Sequence, residues 1–191
     1  MSDTSPVLDF LLTRRSRPAK LLAPPVPNRE ELITLLTAAA RTPDHGKLEP
    51  WRFIVLEAPA MARLADLVVT RGAALGQDAE AIEKMRNTFA SAPLCVAVIS
   101  SPKPSEKIPQ VEQVLSAGAV CLALLNAALA AGWGANWLSG WASHDRTFVS
   151  EGLGLSDTET IAGLIHIGTA NQTPPERPRP DISQITEWVS A

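Results

Sequence analysis

Between Gln113 and Ser143 the chain carries no Asp, Glu, Lys or Arg. Within that stretch Ser116–Gly132 reads SAGAVCLALLNAALAAG, a run long enough for several helical turns. A charge-free helix of this kind cannot face water all round; it is buried in a packed structure or it crosses a membrane. Seven alanines, with Ser116 and Asn126, keep the run only modestly apolar. We therefore read it as a helix buried on nearly all sides, at the centre of a domain or of a dimer, and not as a membrane span. Its small side chains let a second helix approach closely.

The remaining composition fits a single globular domain over residues 1–191. Hydrophobic residues make up 46% and charged residues 19%, enough apolar material to build a core and too much for disorder. The net charge of -3, from 17 basic and 20 acidic side chains, lacks the basic excess of a nucleic-acid binder. Cys95 and Cys121 each sit in an apolar run, without a CxxC spacing or a nearby histidine. They read as buried free thiols of a cytoplasmic protein, and neither a disulfide framework nor a zinc site is expected. The segment from Met1 to Phe10 lacks the basic start and apolar core of a signal peptide.

Periodicity and capping give an element order. Pro6–Thr13 predicts a short helix. Asn28, followed by Glu30 and Glu31, starts a second helix that ends near Arg41, before Pro43. Trp51–Glu57 alternates as a strand. Pro59–Thr70 and Asp78–Phe89 read as helices with a turn at Gly72–Gly76. Pro93–Ser100 is a strand buried on both faces, and residues 101–110 form a loop. Gln113–Ala131 is the long helix, Gly134–Gly140 a strand, His144–Leu153 a short helix and Ile161–Gly168 a strand. Pro174–Pro180 is an extended tail. Strands separated by helices, with arms at the ends, suggest a three-layer α+β or α/β domain.

Several familiar signatures are missing. No GxGxxG follows a strand, and there is no phosphate loop ending in Gly-Lys-Ser/Thr, no HExxH and no GxSxG. Two other stretches carry chemistry when taken together. Arg14-Arg15-Ser16 places two guanidiniums beside a hydroxyl, an arrangement that offers an anion several donors. Taken alone it also reads as a solvated basic helix end. The run Arg41–Leu56, RTPDHGKLEPWRFIVL, packs His45, Lys47, Glu49, Trp51 and Arg52 into a turn stiffened by Pro43 and Pro50. Such a loop suits a planar, hydrogen-bonding ring, and a phosphorylated heteroaromatic cofactor needs both features.

In order and spacing these stretches resemble the FMN-dependent nitroreductase family, in particular its short, single-domain branch of NAD(P)H nitroreductases. The resemblance rests on Arg14-Arg15-Ser16, the Pro-Asp-His…Pro-Trp loop ending at Trp51, and Glu112…Ser116-Ala117-Gly118. It continues through Gly132…Trp137-Leu138-Ser139-Gly140 and Gly163…Ile167-Gly168-Thr169. It implies a nitroreductase-like three-layer α+β fold: a mainly antiparallel sheet flanked by helices, in an intertwined homodimer with FMN at the subunit interface. By the same resemblance Arg14 and Ser16 hold the FMN phosphate and ribityl chain, and Arg15 reaches the edge of the ring. Arg41 and His45 come from the opposite subunit, and Trp137, Leu138 and Ser139 back the flavin. Ala127–Gly132 aligns with a segment linked to the nicotinamide cofactor.

Two positions depart from the wider family. Glu49 stands where an amide usually precedes Pro-Trp, and an ionised carboxylate cannot donate to the flavin pyrimidine. It could pair with Lys47 or Arg52, or bind the flavin in a different way. Lys47 stands where larger relatives have Asn. An ammonium there would favour the anionic reduced flavin, whereas a Lys47–Glu49 surface pair would contribute little. No side chain is a convincing acid–base catalyst, which suits an enzyme whose cofactor carries the redox chemistry. The expected activity is reduction of an electron-poor acceptor, a nitroaromatic or quinone, with NAD(P)H as reductant in a ping-pong cycle. The alternatives are another flavin reaction on the same fold, reductive dehalogenation or flavin fragmentation, or a non-catalytic flavin-binding protein.

Overall fold

The computed structural model describes residues 5–190. Its elements in chain order are α1 (Pro6–Thr13), β1 (Leu22–Ala23), α2 (Arg29–Ala39), β2 (Trp51–Glu57), α3 (Ala58–Ala74) and α4 (Ala79–Ala90). They continue with β3 (Leu94–Ser100), α5 (Gln110–Ala130), β4 (Gly134–Leu138), α6 (Arg146–Leu153) and β5 (Thr160–Ala170). Every strand pairing is antiparallel. Residues Leu164–His166 of β5 pair with β3 and with β4 at once, so β5 lies inside the sheet. β2 pairs with β3 over its whole length, from Trp51↔Ser100 to Glu57↔Leu94.

The sheet divides the core in two. Alternate residues of β3 point to opposite faces, as strand geometry requires. Cys95, Ala97 and Ile99 join one apolar cluster with α3, α4 and α6, where Phe89 and Phe148 pack at 5.6 Å between ring centroids. Leu94, Val96 and Val98 join the other, with α2 and α5. This is the expected three-layer α+β arrangement with a mainly antiparallel sheet. Both cysteines are free and buried, and burial pushes both thiols up, Cys121 to about 12.

The predicted α2 start is present in full. The Asn28 side chain accepts from the Glu30 and Glu31 amides, and Glu31 accepts from the Asn28 amide at 2.8 Å, a capping box. Elsewhere the boundaries shift for physical reasons. Gly72 does not open a turn; it lies buried inside α3, and a Cβ there would press on Ile82 of α4. The turn falls one helical pitch later, at Gly76, whose φ of +65° suits glycine. β4 stops at Leu138 rather than Gly140. The helix expected from His144 begins at Arg146, because the Asp145 side chain caps it by accepting from the Phe148 amide.

The long helix also differs from expectation. α5 is buried along the face Gln113, Ala117, Val120, Cys121, Leu124 and Ala128, whereas Val111, Val114, Leu115 and Leu122 are exposed. In the single chain it is therefore half-buried, with an outer face that carries no charge beyond Glu112. It is the one helix among the described residues long and apolar enough to cross a membrane, yet its inner face is packed in the core.

Candidate functional site

The Arg-Arg-Ser segment follows α1 directly, since Thr13 is the last helical residue and residues 14–18 have no regular structure. The Arg17 amide donates to the Ala135 carbonyl at 2.8 Å, which lays this segment beside the start of β4. Arg14, Arg15 and Arg17 then line a cavity of about 340 Å³ with Phe10, Trp133 and Gly134. Arg14 donates through Nη2 to the Ser16 hydroxyl at 3.0 Å, so Ser16 steadies the guanidinium. Two guanidinium donors of cavity-lining residues have no partner among the described residues. Arg14 Nε and Arg17 Nη1 are buried without a hydrogen-bond partner, an arrangement that is costly unless a ligand supplies the acceptor. Burial, then the charges of Arg179 and Arg15, holds the Arg14 pKa below its ordinary value. A crowded, partly desolvated cluster of cations is a ready receptor for a polyanion.

Arg17 was not among the sequence-derived candidates. The available signal was three arginines within four residues, 14 to 17. Leu129 and Gly132 line the same cavity, so the segment aligned with nicotinamide binding contributes to the arginine cavity.

The second stretch is built by α5. Glu112 and Ser116 stand one helical turn apart and share a face. Glu112 Oε2 lies 2.6 Å from His45 Nδ1. Ser116 Oγ donates to the Pro43 carbonyl at 2.9 Å and accepts from Trp51 Nε1 at 3.2 Å. These contacts tie the start, middle and end of the loop to a single helix. The loop backbone is strained between them: Gly46, Lys47 and Glu49 all have positive φ, at 72°, 55° and 49°. For Lys47 and Glu49 this costs on the order of 1–2 kcal/mol each. Asp44 offsets part of it by accepting from the Glu49 amide at 2.6 Å. Ile108 packs so closely on Gly46 that no side chain fits there. His45, Lys47 and Glu49 all face solvent.

Neither partner considered for Glu49 takes that role. Arg52 is held instead by Glu159, at 2.6 Å and 2.9 Å, and those hydrogen bonds lead in bringing the Glu159 carboxyl down to about 2. No Lys47–Glu49 ion pair forms among the described residues.

Trp137, Leu138 and Ser139 lie at the far end of β4 from the arginine cavity. Gly134 borders the cavity, and four strand steps of about 3.3 Å carry the chain about 13 Å to Leu138. Trp137 is 37% exposed, and its indole closes over Gly163 of β5, where any Cβ would collide with it. Ser139 opens on a smaller cavity of about 290 Å³ with Lys84, Met85, Thr88 and Trp141. Of the four aromatic residues 133, 137, 141 and 148, only Phe148 is fully buried core. Arg41, exposed at the end of α2, and the His45 loop do not line the arginine cavity. One chain thus keeps these features apart, an arginine cavity with β4 and a separate strained loop.

The fold is α+β, with a cavity lined by arginines at the head of one strand of its sheet. The chain belongs to the nitroreductase family, whose sequence model matches residues 11–169. It is 37% identical over 162 residues to the "Putative NAD(P)H nitroreductase YdjA" of Escherichia coli K12, across 85% of this chain and 87% of that one. Its fold matches a nitroreductase-like family protein from Bacillus cereus with a TM-score of 0.82 at 23% identity over the full length of both chains. It also matches "a putative nitroreductase in complex with fmn" from Desulfovibrio desulfuricans, with a TM-score of 0.75 at 21% identity over 98% of this chain and 99% of that one.

Proposed function

We propose that the chain is an FMN-dependent oxidoreductase that uses NAD(P)H to reduce an electron-poor small molecule, a nitroaromatic or a quinone. One observation carries the reading: the arginine cavity with two buried, unpartnered guanidinium donors at the head of β4. The residues fit the group. Arg14, Arg15, Arg17 and Ser16 supply donors for a phosphate, and β4 leads from them towards Trp137, Leu138 and Ser139. FMN, when bound, supplies the hydride and electron chemistry. The chain's part is to bind and orient. The arginines fix one end of the cofactor, β4 backs the ring, and Lys47 provides positive charge where negative charge develops.

The His45 loop and Arg41 complete the site from a second subunit. Support comes from exposed apolar side chains on three elements: Leu115 and Leu122 on α5, Val7 and Leu12 on α1, and Ile182, Ile185 and Trp188 in the tail. Side chains of this kind on several elements mark a surface that another copy covers. Two free thiols suit a cytoplasmic setting.

A single open site visited in turn by NAD(P)H and the acceptor implies ping-pong kinetics. Initial rates of NADH and NADPH oxidation at several acceptor concentrations test this. Parallel double-reciprocal lines are expected. Intersecting lines would refute the shared site, and no oxidation with any acceptor would favour a flavin-binding protein without catalysis.

A further inference from the structure

The arginine cavity is bordered by the chain's own tail. Residues 171–180 have no regular structure, and Thr173 lines the cavity. Arg15 donates through Nη1 to the Pro175 carbonyl, and the same nitrogen lies 3.8 Å from Glu176 Oε2. The other carboxylate oxygen, Oε1, accepts from Arg179 Nε at 2.9 Å and from the Arg177 amide at 3.1 Å, and Arg179 Nη2 lies 2.9 Å from it as an ion pair. Glu176 therefore stands between two guanidiniums, Arg15 and Arg179. It is the one carboxylate paired with this arginine group among the described residues; Arg14 and Arg17 form no ion pair. The carboxylate is 64% exposed, so it can leave without disturbing the core.

We propose that Glu176 is the resident counter-anion of the arginine cavity, displaced by the phosphate of FMN, so that the tail sets the preference for phosphorylated over unphosphorylated flavin. The inference rests on the assignment of the cavity to the FMN phosphate. Before the phosphate arrives, Glu176 neutralises part of the repulsion among Arg14, Arg15 and Arg179 and keeps Arg15 and Arg179 aligned. Once a phosphate occupies the cavity, the carboxylate and the dianion contend for Arg15, the one partner of Glu176 that lines the cavity, and their like charges repel. Glu176 thus lowers the affinity that the arginines alone would give. Riboflavin brings no anion to the cavity and does not contend with residue 176.

The test is a fluorescence-quenching titration of the full-length apoprotein with FMN and with riboflavin, comparing the wild type with Glu176→Gln. The amide keeps the size of the side chain and removes its charge. Glu176→Gln is expected to bind FMN about two- to fivefold more tightly, the range an exposed ion pair commands, with riboflavin affinity unchanged. The gain is expected to shrink in about 0.5 M salt as the charges are screened. Unchanged or weaker FMN binding by Glu176→Gln, in a wild type that prefers FMN to riboflavin, would overturn the role of Glu176. A wild type with no preference for FMN would overturn the phosphate assignment instead.

Discussion

Replacing Arg14 by Ala tests how the cavity recognises its ligand. In the free chain Arg14 contributes little to the fold. Its one side-chain hydrogen bond among the described residues is to Ser16, its Nε has no partner there, and its charge is disfavoured by burial and by Arg179 and Arg15. Removing it relieves that repulsion, so the melting temperature should hold or rise slightly. If the cavity holds the FMN phosphate, Arg14, which lines it, is the side chain placed to donate to a phosphate oxygen. Losing one charge-assisted hydrogen bond costs about 1.5–3 kcal/mol, or about 10- to 150-fold in Kd. Arg14→Lys should recover little of it, because an ammonium at the end of a flexible stem cannot place a donor where Nε stands. The assay is titration of both variants with FMN and riboflavin, with thermal melts as the folding control. FMN binding should weaken while riboflavin binding does not. Unchanged FMN affinity, or equal losses for both flavins, would refute a phosphate role for Arg14.

Three further outcomes follow from particular residues. Lys47→Met should lower the flavin midpoint potential and slow reduction by NAD(P)H with little change in FMN affinity; spectroelectrochemical titration measures this, and identical potentials would place Lys47 in solvent away from the ring. The chain should sediment as a dimer at micromolar concentration, and Leu115→Glu, on the exposed apolar face of α5, should yield monomers; a wild-type monomer carrying flavin would contradict the shared site. His166 is fully buried in β5 with neither ring nitrogen partnered, and burial lowers its pKa from 6.5 to about 4. The neutral ring is tolerated above the unfolded pKa. As pH falls from about 6.5 to about 4 the unfolded chain takes up a proton that the folded chain refuses, so stability should drop by about 3 kcal/mol across that window. Urea unfolding of the wild type and His166→Leu over this range isolates the effect, since carboxylate contributions are common to both; parallel pH curves would show that His166 is solvated.

The parts of this fold that showed in the sequence are those whose cause is local. Asn28 with Glu31 announces α2 because a capping box needs only four consecutive residues. The unbroken apolar run of β3 announces burial on both faces. β1 did not show, because two residues cannot display a period and their partners, Thr169 and Ala170, lie at the other end of the chain. Gly72 misled because a glycine required by helix–helix contact and one required by a turn look alike until Ile82 is placed against it. The candidate site divides in the same way. Arg14, Arg15 and Ser16 stood out as adjacent donors. Arg17 and Glu176 did not, since the first is one arginine among several and the second meets Arg15 only after the tail has returned to β4. The outer face of α5 also eluded prediction, because a sequence without charges does not say which half of a helix its own chain covers.

The most direct measurement is the visible spectrum of the purified protein, followed by identification of whatever chromophore heat or acid releases. A flavin spectrum is expected, with FMN as the released species and a single FMN for each chain. A released chromophore without a phosphate, or a protein that neither carries nor takes up FMN, would contradict the assignment of the arginine cavity and the function built on it.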